Sequence, residues 1–214
     1  MIQKPQSVKR LENGSVVFYD LYGKPIGTYI LRGGFSFPAV YPSEAGAKVE
    51  GYICLAAQDT KTKVTHIIEE MEFLSVDHII DDQQNLIQEG IAMFLSSSFT
   101  RYGAIKWYWN QDEDIASGWR VKIYRSSQVQ PQPQCIKVHW RDDRTAMGTV
   151  FSAFANGQLK GTKGSGISGD VIRMKAMPDM NMIPAALWSL MCVVNGMNKY
   201  PWRDRSGSNE ELMR

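Results

Sequence analysis

The sequence predicts a single α/β domain, a mixed β-sheet of five or more strands flanked by helices over residues 81–98, 146–155 and 183–196. The 214 residues are 43% apolar and 21% charged, which is enough to fill one hydrophobic core. Short apolar, β-branched runs in the first 75 residues alternate with turn residues, as in antiparallel strands. Beyond residue 80 the apolar period lengthens to that of a helix, and helices and strands then alternate.

The composition excludes a disordered chain and a disulfide-stapled one. Cys54, Cys135 and Cys192 are odd in number and far apart, so neither a disulfide framework nor a cysteine-built zinc site is indicated. The N-terminus is polar where a signal peptide needs an apolar run, and the longest apolar stretch is too short to span a membrane. We expect a cytoplasmic protein without membrane contact, with one domain over residues 1–200 and a loose charged tail over 201–214.

The first half of the chain predicts two antiparallel strand pairs and a crossover. Four apolar segments are joined by polar or glycine-containing turns: residues 15–20, 28–31, 51–57 and 64–73. The glycines and prolines between the second and third segments predict a long loop over residues 32–50. Because the helix over 81–98 precedes an aromatic-rich strand over 104–109, we expect a parallel crossover connection.

The second half predicts two more strands and two more helices. Residues 119–124 and 136–140 alternate polar with apolar side chains, and a polar, proline-rich loop separates them. The helix over 146–155 ends at Asn156-Gly157. In the final helix, Asn181 is the expected N-cap, Pro184 suits the first turn and Gly196 is the expected stop. This helix is apolar almost all round, so it is expected to be buried.

The charge distribution indicates an anionic partner. The net charge is only +2, but residues 1–100 carry 8 basic and 12 acidic side chains, so the excess of positive charge lies in the second half. Between residues 115 and 175, ten basic side chains face three acidic ones. Nucleic acid is the commonest large anion, and such a segment could hold its phosphates; an ordinary solvated basic face is the alternative. The candidate nucleic-acid-binding residues are Arg120, Lys122, Arg125, Lys160, Lys163, Arg173 and Lys175.

Glycines recur between Gly157 and Gly169 and could contact phosphate through backbone N–H groups, with Lys160 and Lys163 adding charge. The order of residues is not that of a Walker A loop, and a flexible surface loop is the alternative. The three histidines show no metal-site spacing, and no G-x-S-x-G hydrolase elbow occurs.

Carboxylates at the ends of predicted strands suggest a metal site. Asp20 closes the first apolar strand, the run from Asp112 to Asp114 follows the aromatic strand, and Asp179 precedes the final helix. Converging carboxylates of this kind bind Mg²⁺ or Mn²⁺, and two such ions activate water for phosphodiester cleavage. The alternative is that each is a turn-forming aspartate.

The order of these elements resembles the ribonuclease H-like nuclease fold, and within it the nuclease domain of phage large terminases. The resemblance covers roughly residues 15–200. It implies that Asp20, Asp112 and Asp179 are catalytic and that Asp20, Asp112, Asp114 and Asp179 are metal ligands. One departure is that the final helix begins Asn181-Met-Ile-Pro-Ala-Ala-Leu187, without the paired aspartates usual in terminases; another is the absence of an ATPase motif.

Two functions of different classes follow. The first is a Mg²⁺- or Mn²⁺-dependent nuclease acting on DNA, of a phage or mobile-element type, with the basic segment holding the phosphate backbone. The second is a nucleic-acid-binding or phage assembly protein without chemistry, with an assembly partner and with Trp107, Trp109, Trp119 or Trp140 stacking on bases. Aromatic residues in strands are usually part of the core, which is the alternative for each tryptophan.

Overall fold

The computed structural model describes residues 5–43, 46–75, 80–110, 134–161 and 183–202. Eight strands of these residues form one mixed sheet, and three helices pack on its faces. The strands are β1 (Ser7–Arg10), β2 (Val16–Tyr19), β3 (Pro25–Ser43), β4 (Gly46–Asp59), β5 (Thr65–Ser75), β6 (Lys106–Trp109), β7 (Gln134–Lys137) and β8 (Leu159–Lys160). The helices are α1 (Ile80–Tyr102), α2 (Asp143–Ala155) and α3 (Ala185–Lys199). The predicted α/β class and mixed sheet are confirmed.

Strand β3 is the centre of the sheet. It pairs antiparallel with β4 along one edge, while β2 and then β6 occupy its other edge. The order β1-β2-β3-β4-β5-β8 is antiparallel as far as β5, and β8 joins β5 in parallel. Helix α1 carries the chain to β6, which runs parallel to β3 and then pairs in parallel with β7. The predicted crossover is therefore confirmed.

The expectation of a loop over residues 32–50 is wrong. Strands β3 and β4 continue through this segment and pair from Tyr29–Asp59 to Ser43–Gly46. The register shifts between Ser36 and Ala39, so Pro38 falls at an irregularity where a missing N–H does not break the ladder. Gly33 and Gly34 do not end the strand because they leave space for the Trp107 ring on one face and for helix α3 on the other.

Each face of the sheet buries an apolar cluster. Helix α1 covers a cluster that contains the central apolar residues of β3 and β4 with Trp107 and Trp109. Helices α2 and α3 cover the opposite cluster, in which Leu187 and Leu190 are fully buried. The burial expected for the final helix is confirmed, and the cysteines Cys54 and Cys192 lie in the core as expected.

Helix boundaries differ from the sequence predictions for local reasons. Helix α1 continues through its serines to Tyr102, because Leu95 and Tyr102 are buried in the core cluster; the hydroxyls of Ser97 and Thr100 are satisfied by carbonyls of the preceding turn. Helix α3 passes Gly196 and ends at Lys199, because Gly196 provides the space for the Tyr108 ring. Helix α2 begins earlier than expected, with Asp142 as its N-cap, and ends as expected at Asn156. The predicted strand over 119–124 and the predicted cap Asn181 lie outside the described residues.

Candidate functional site

The carboxyl end of β6 is the natural place for a ligand in this topology. Strands β3 and β6 are parallel neighbours, and the chain reaches β6 from β5 through α1. Ligands in open α/β sheets bind beyond the carboxyl ends of strands where the strand order reverses. The register pairs Gly34 with Tyr108, so the residue after β6, Asn110, lies at the level of Ser36. We call this region, with the first turn of α3, the β6 end.

Two hydrogen bonds and one ring contact connect the elements of the β6 end. The indole Nε1 of Trp188, in the first turn of α3, donates to the carbonyl of Asn110. The N–H of Val138, just after β7, donates to the carbonyl of Trp109 at 2.8 Å. The rings of Trp140 and Trp188 meet edge to face with centroids 5.5 Å apart. The ends of β6 and β7 and the start of α3 are thus held together.

The face of β3 at this end carries no carboxylate. Residues 32 to 36 read Arg-Gly-Gly-Phe-Ser. The Gly34 carbonyl accepts a hydrogen bond from the Ser189 hydroxyl at 2.7 Å, and the Ser36 hydroxyl accepts one from the Tyr52 N–H at 3.0 Å. The polar atoms on this stretch of the central strand therefore bind the neighbouring elements of the fold.

Glu50 is a buried carboxylate that sequence reasoning missed. It lies on β4, 8% exposed, and its Oε2 lies 3.4 Å from the N–H of Ala185 in the first turn of α3. A carboxylate is favourable there because the first N–H groups of a helix lack partners and carry partial positive charge. Its sequence signal is an acid next to the apolar residues of β4, but the glycines and prolines before it predict that residues 32–50 form a loop.

Asp20 does not lie at the β6 end. It forms the β2–β3 turn, where its Oδ1 accepts hydrogen bonds from the N–H groups of Tyr22 at 2.9 Å and Lys24 at 2.8 Å. Asp20 therefore has the role of a turn-forming aspartate, which is the alternative to a metal ligand. Asp20 lies beside the start of β3 at Pro25 and Asn110 beside Ser36, a separation of about 35 Å along the strand at the usual rise per residue. The interpretation of β2 as the first strand of the nuclease order is corrected, because the strand that neighbours β6 is β3.

The other predicted metal ligands, Asp112, Asp114 and Asp179, lie outside the described residues. Within the described ranges, no group of three or more His, Cys, Asp or Glu side chains could hold a metal ion. The assignment of these three aspartates stays a prediction, and carboxylate oxygens are the donors that suit Mg²⁺ and Mn²⁺.

Among the predicted nucleic-acid-binding residues, the structure describes Lys160. Lys160 is exposed in β8, at the end of the sheet where β5 begins. Burial of the His66 imidazole lowers the pKa of His66, and the nearby charge of Lys160 lowers this pKa further. The β6 end lies about 20 Å away along the strands. Two other arginines of the basic segment, Arg141 and Arg144, are exposed at the start of α2 and close to the β6 end. The remaining candidates are Arg120, Lys122, Arg125, Lys163, Arg173 and Lys175, and all lie outside the described residues.

The tryptophans divide into core and surface positions. Trp107 and Trp109 are 2% and 1% exposed, so a stacking role on bases is wrong for both, and the core alternative holds. Trp140 is only partly buried, and its Nε1 donates to Asp143 Oδ1 at 2.7 Å. Trp119 lies outside the described residues. Burial raises the pKa of the Cys54 thiol to about 12, which argues against a role as a nucleophile.

The fold is similar to that of known nucleases. The nuclease domain of human cytomegalovirus terminase, solved after a manganese soak with an inhibitor bound, superposes with a TM-score of 0.54 at 12% identity, covering 82% of this chain and 85% of that one. Thermus thermophilus RuvC covers 78% of this chain and 92% of its own at 8% identity and a TM-score of 0.40. The likeness to the terminase nuclease domain shows that this chain has a ribonuclease H-like fold. No protein-family model and no curated protein matches the sequence.

A helix must be long and apolar to cross a bilayer. None of the helices in the described ranges is both long enough and apolar enough. The exposed face of α1 carries polar and charged side chains among Leu86 and Met93, as on the surface of a water-facing helix.

Proposed function

We propose that this chain is a metal-dependent nuclease that acts on DNA at the β6 end. The observation that carries the proposal is the hydrogen bond from Trp188 to Asn110. It joins β6, which ends three residues before Asp112, to α3, which starts six residues after Asp179. The two elements that flank the predicted ligands in the sequence are thus held together, in a fold similar to that of the terminase nuclease domain.

In this proposal Asp112, Asp114 and Asp179 hold Mg²⁺ or Mn²⁺. Bound divalent ions activate water and stabilise the leaving oxygen in phosphodiester hydrolysis. The residues of the basic segment bind the phosphate backbone and orient it at the β6 end. Asp20 has no part in the reaction, because its carboxylate stabilises a turn about 35 Å away along β3.

The test is cleavage of labelled DNA in the presence of Mn²⁺ by the wild type and two matched variants. Asp112→Asn with Asp114→Asn should abolish cleavage and retain binding, because the amide keeps the side-chain volume and removes the charge that holds the metal. Asp20→Asn should cleave like the wild type, and EDTA should stop both. Cleavage that survives the double substitution contradicts the proposed ligands.

A second candidate function is a nucleic-acid-binding or assembly protein without chemistry. The observation that favours it is the central strand itself, where residues 32–36 include no carboxylate; the carboxylate that reaches the β6 end, Glu50 of β4, accepts from the Ala185 N–H. This candidate predicts that the wild type binds DNA and leaves single- and double-stranded DNA and RNA uncut at millimolar Mn²⁺. In this second function the chain also binds a phage-type assembly partner, as the resemblance implies.

A further inference from the structure

Trp140 lies where a nucleic acid at the β6 end would meet an aromatic ring. It follows β7 and contacts Trp188, the residue that hydrogen-bonds to the end of β6. Trp107 is 2% exposed in the core, whereas Trp140 packs against the clusters beside α3 and is only partly buried. One ring, that of Trp188, separates Trp140 from the end of β6.

The orientation of the Trp140 ring is fixed from two sides. Its Nε1 donates to Asp143 Oδ1 at 2.7 Å, and its ring meets Trp188 at an interplanar angle of 64°. Because these contacts hold the indole in place before anything binds, a base that stacks on it does not have to order it. A fixed aromatic ring with an exposed part is a stacking surface for a planar ligand.

Two exposed arginines near Trp140 offer donors to a phosphate backbone, within a run of two basic and two acidic residues over 141–144. Arg141 and Arg144 are exposed, and within the part of the chain that the structure describes neither makes an ion pair. The two acids nearby are already engaged, since Asp142 accepts from the N–H and hydroxyl of Thr145 at 2.8 Å and Asp143 accepts from Trp140. The arginine guanidiniums are the groups with donors still to offer.

We propose that Trp140, with Arg141 and Arg144, is a stacking site for an unpaired base, so that the preferred ligand is single-stranded nucleic acid. A base inside a duplex presents its edge in the grooves and its faces are covered by its neighbours, so only an unstacked base can lie on an indole. The inference rests on the proposed binding of nucleic acid at the β6 end and adds the strandedness of the ligand.

The test measures binding of labelled oligothymidylate and of a duplex of equal length by fluorescence anisotropy in the presence of EDTA. Trp140→Leu should weaken oligothymidylate binding about 10-fold, in line with the loss of one base-stacking contact, and leave duplex binding unchanged. Trp140→Phe should retain most of the affinity, because it keeps an aromatic face while losing the hydrogen bond to Asp143. Tyr22→Leu is the matched control, since Tyr22 is 93% exposed at the opposite end of the sheet.

Three outcomes overturn the inference. They are an oligothymidylate affinity of Trp140→Leu within 2-fold of the wild type, an equal loss for oligothymidylate and duplex, and a loss in Trp140→Phe as large as in Trp140→Leu. Circular dichroism melting of each variant separates lost stacking from lost folding. Cleavage is not read in this assay, so a wild type that prefers single strands but never cuts would contradict the nuclease proposal alone.

Discussion

At the scale of single residues, Asp20 shows how one carboxylate can organise a turn. Its side chain accepts hydrogen bonds from two backbone N–H groups, and its own N–H donates to the Lys24 carbonyl at 3.0 Å. Gly23 in this turn has a φ of 73°, which a residue with a Cβ rarely adopts. The strand residue before Asp20 pairs with Pro25, so the turn sets the register of β2 on β3.

We therefore expect Asp20→Ala to lower the free energy of unfolding by about 1 kcal/mol, the value of the hydrogen bonds lost at a partly exposed site. Asp20→Asn should remain close to the wild type, because its amide oxygen can accept the same bonds. Urea unfolding followed by circular dichroism measures both. An alanine variant as stable as the wild type would mean that the turn does not depend on this side chain.

His66 makes stability depend on pH. Burial lowers the pKa of its imidazole, Lys160 lowers it further, and Asp59 opposes them. The unfolded chain therefore takes up a proton at a higher pH than the folded protein does. The free energy of unfolding should fall as the pH drops below about 6.5 and stop falling below the folded-state pKa of His66.

His66→Gln should remove this part of the pH profile, and unfolding curves from about pH 7.5 to 5.5 would measure it. The same slope in His66→Gln would assign the effect to other groups.

At the scale of elements, the seating of α3 on the sheet depends on a glycine. A Cβ at Gly34 would collide with the backbone carbonyl of Ser189 and with the Val193 side chain. Backbone cannot move aside as a flexible side chain can, so helix and strand approach more closely here than any other residue would allow. The Cys54 thiol and the Ser189 hydroxyl lie 3.2 Å apart at the same contact.

Gly34→Ala should lower the free energy of unfolding by about 1–3 kcal/mol, the usual cost of overpacking a core. Gly148 provides the matched control, because it lies inside α2 and a Cβ there has nothing within 4 Å. Gly148→Ala should raise stability by up to about 1 kcal/mol through helix propensity. Thermal and urea unfolding of the pair measure the contrast, and a tolerated Gly34→Ala would show that α3 can shift on the sheet.

At the scale of the whole molecule, opposite charges are distributed between the two halves of the chain. The acidic half contributes β1 to β5, whereas the basic half contributes β6 to β8, α2 and α3. The parallel pairing of β3 with β6 joins the two halves, so the β6 end lies at their boundary. A phosphate backbone that approaches this boundary meets the basic half of the molecule.

If nucleic acid binds through about six phosphate contacts, its affinity should drop about 10³-fold between about 50 and 200 mM salt. Charge reversal of Arg141 and Arg144 should weaken binding and reduce the salt slope by about two contacts. Charge reversal of Lys9 and Lys24, two exposed lysines of the acidic half, is the matched control and should leave the slope unchanged. Binding that ignores salt would contradict a phosphate-based interface.

The class of fold, the crossover and the burial of the last helix can be predicted from the amino-acid sequence. These features depend on apolar periodicity, and periodicity is local: the alternation in β2 and the all-round apolar surface of α3 can each be read from adjacent residues. The turn at Asp20 and the end of α2 at Asn156 also depend on neighbouring residues. The sequence predicts the end of α2 and offers the turn as the alternative for Asp20.

The identity of the central strand and the set of residues that meet at the β6 end depend on long-range packing. The pairing of β3 with β6 joins residues more than 70 positions apart, and it removes Asp20 from the site and brings Glu50 to the start of α3. Gly33 and Gly34 look like strand breakers in the sequence, yet the Trp107 ring and helix α3 pack against them from opposite faces. No local pattern encodes such contacts, because their energy comes from close packing between elements distant in the chain.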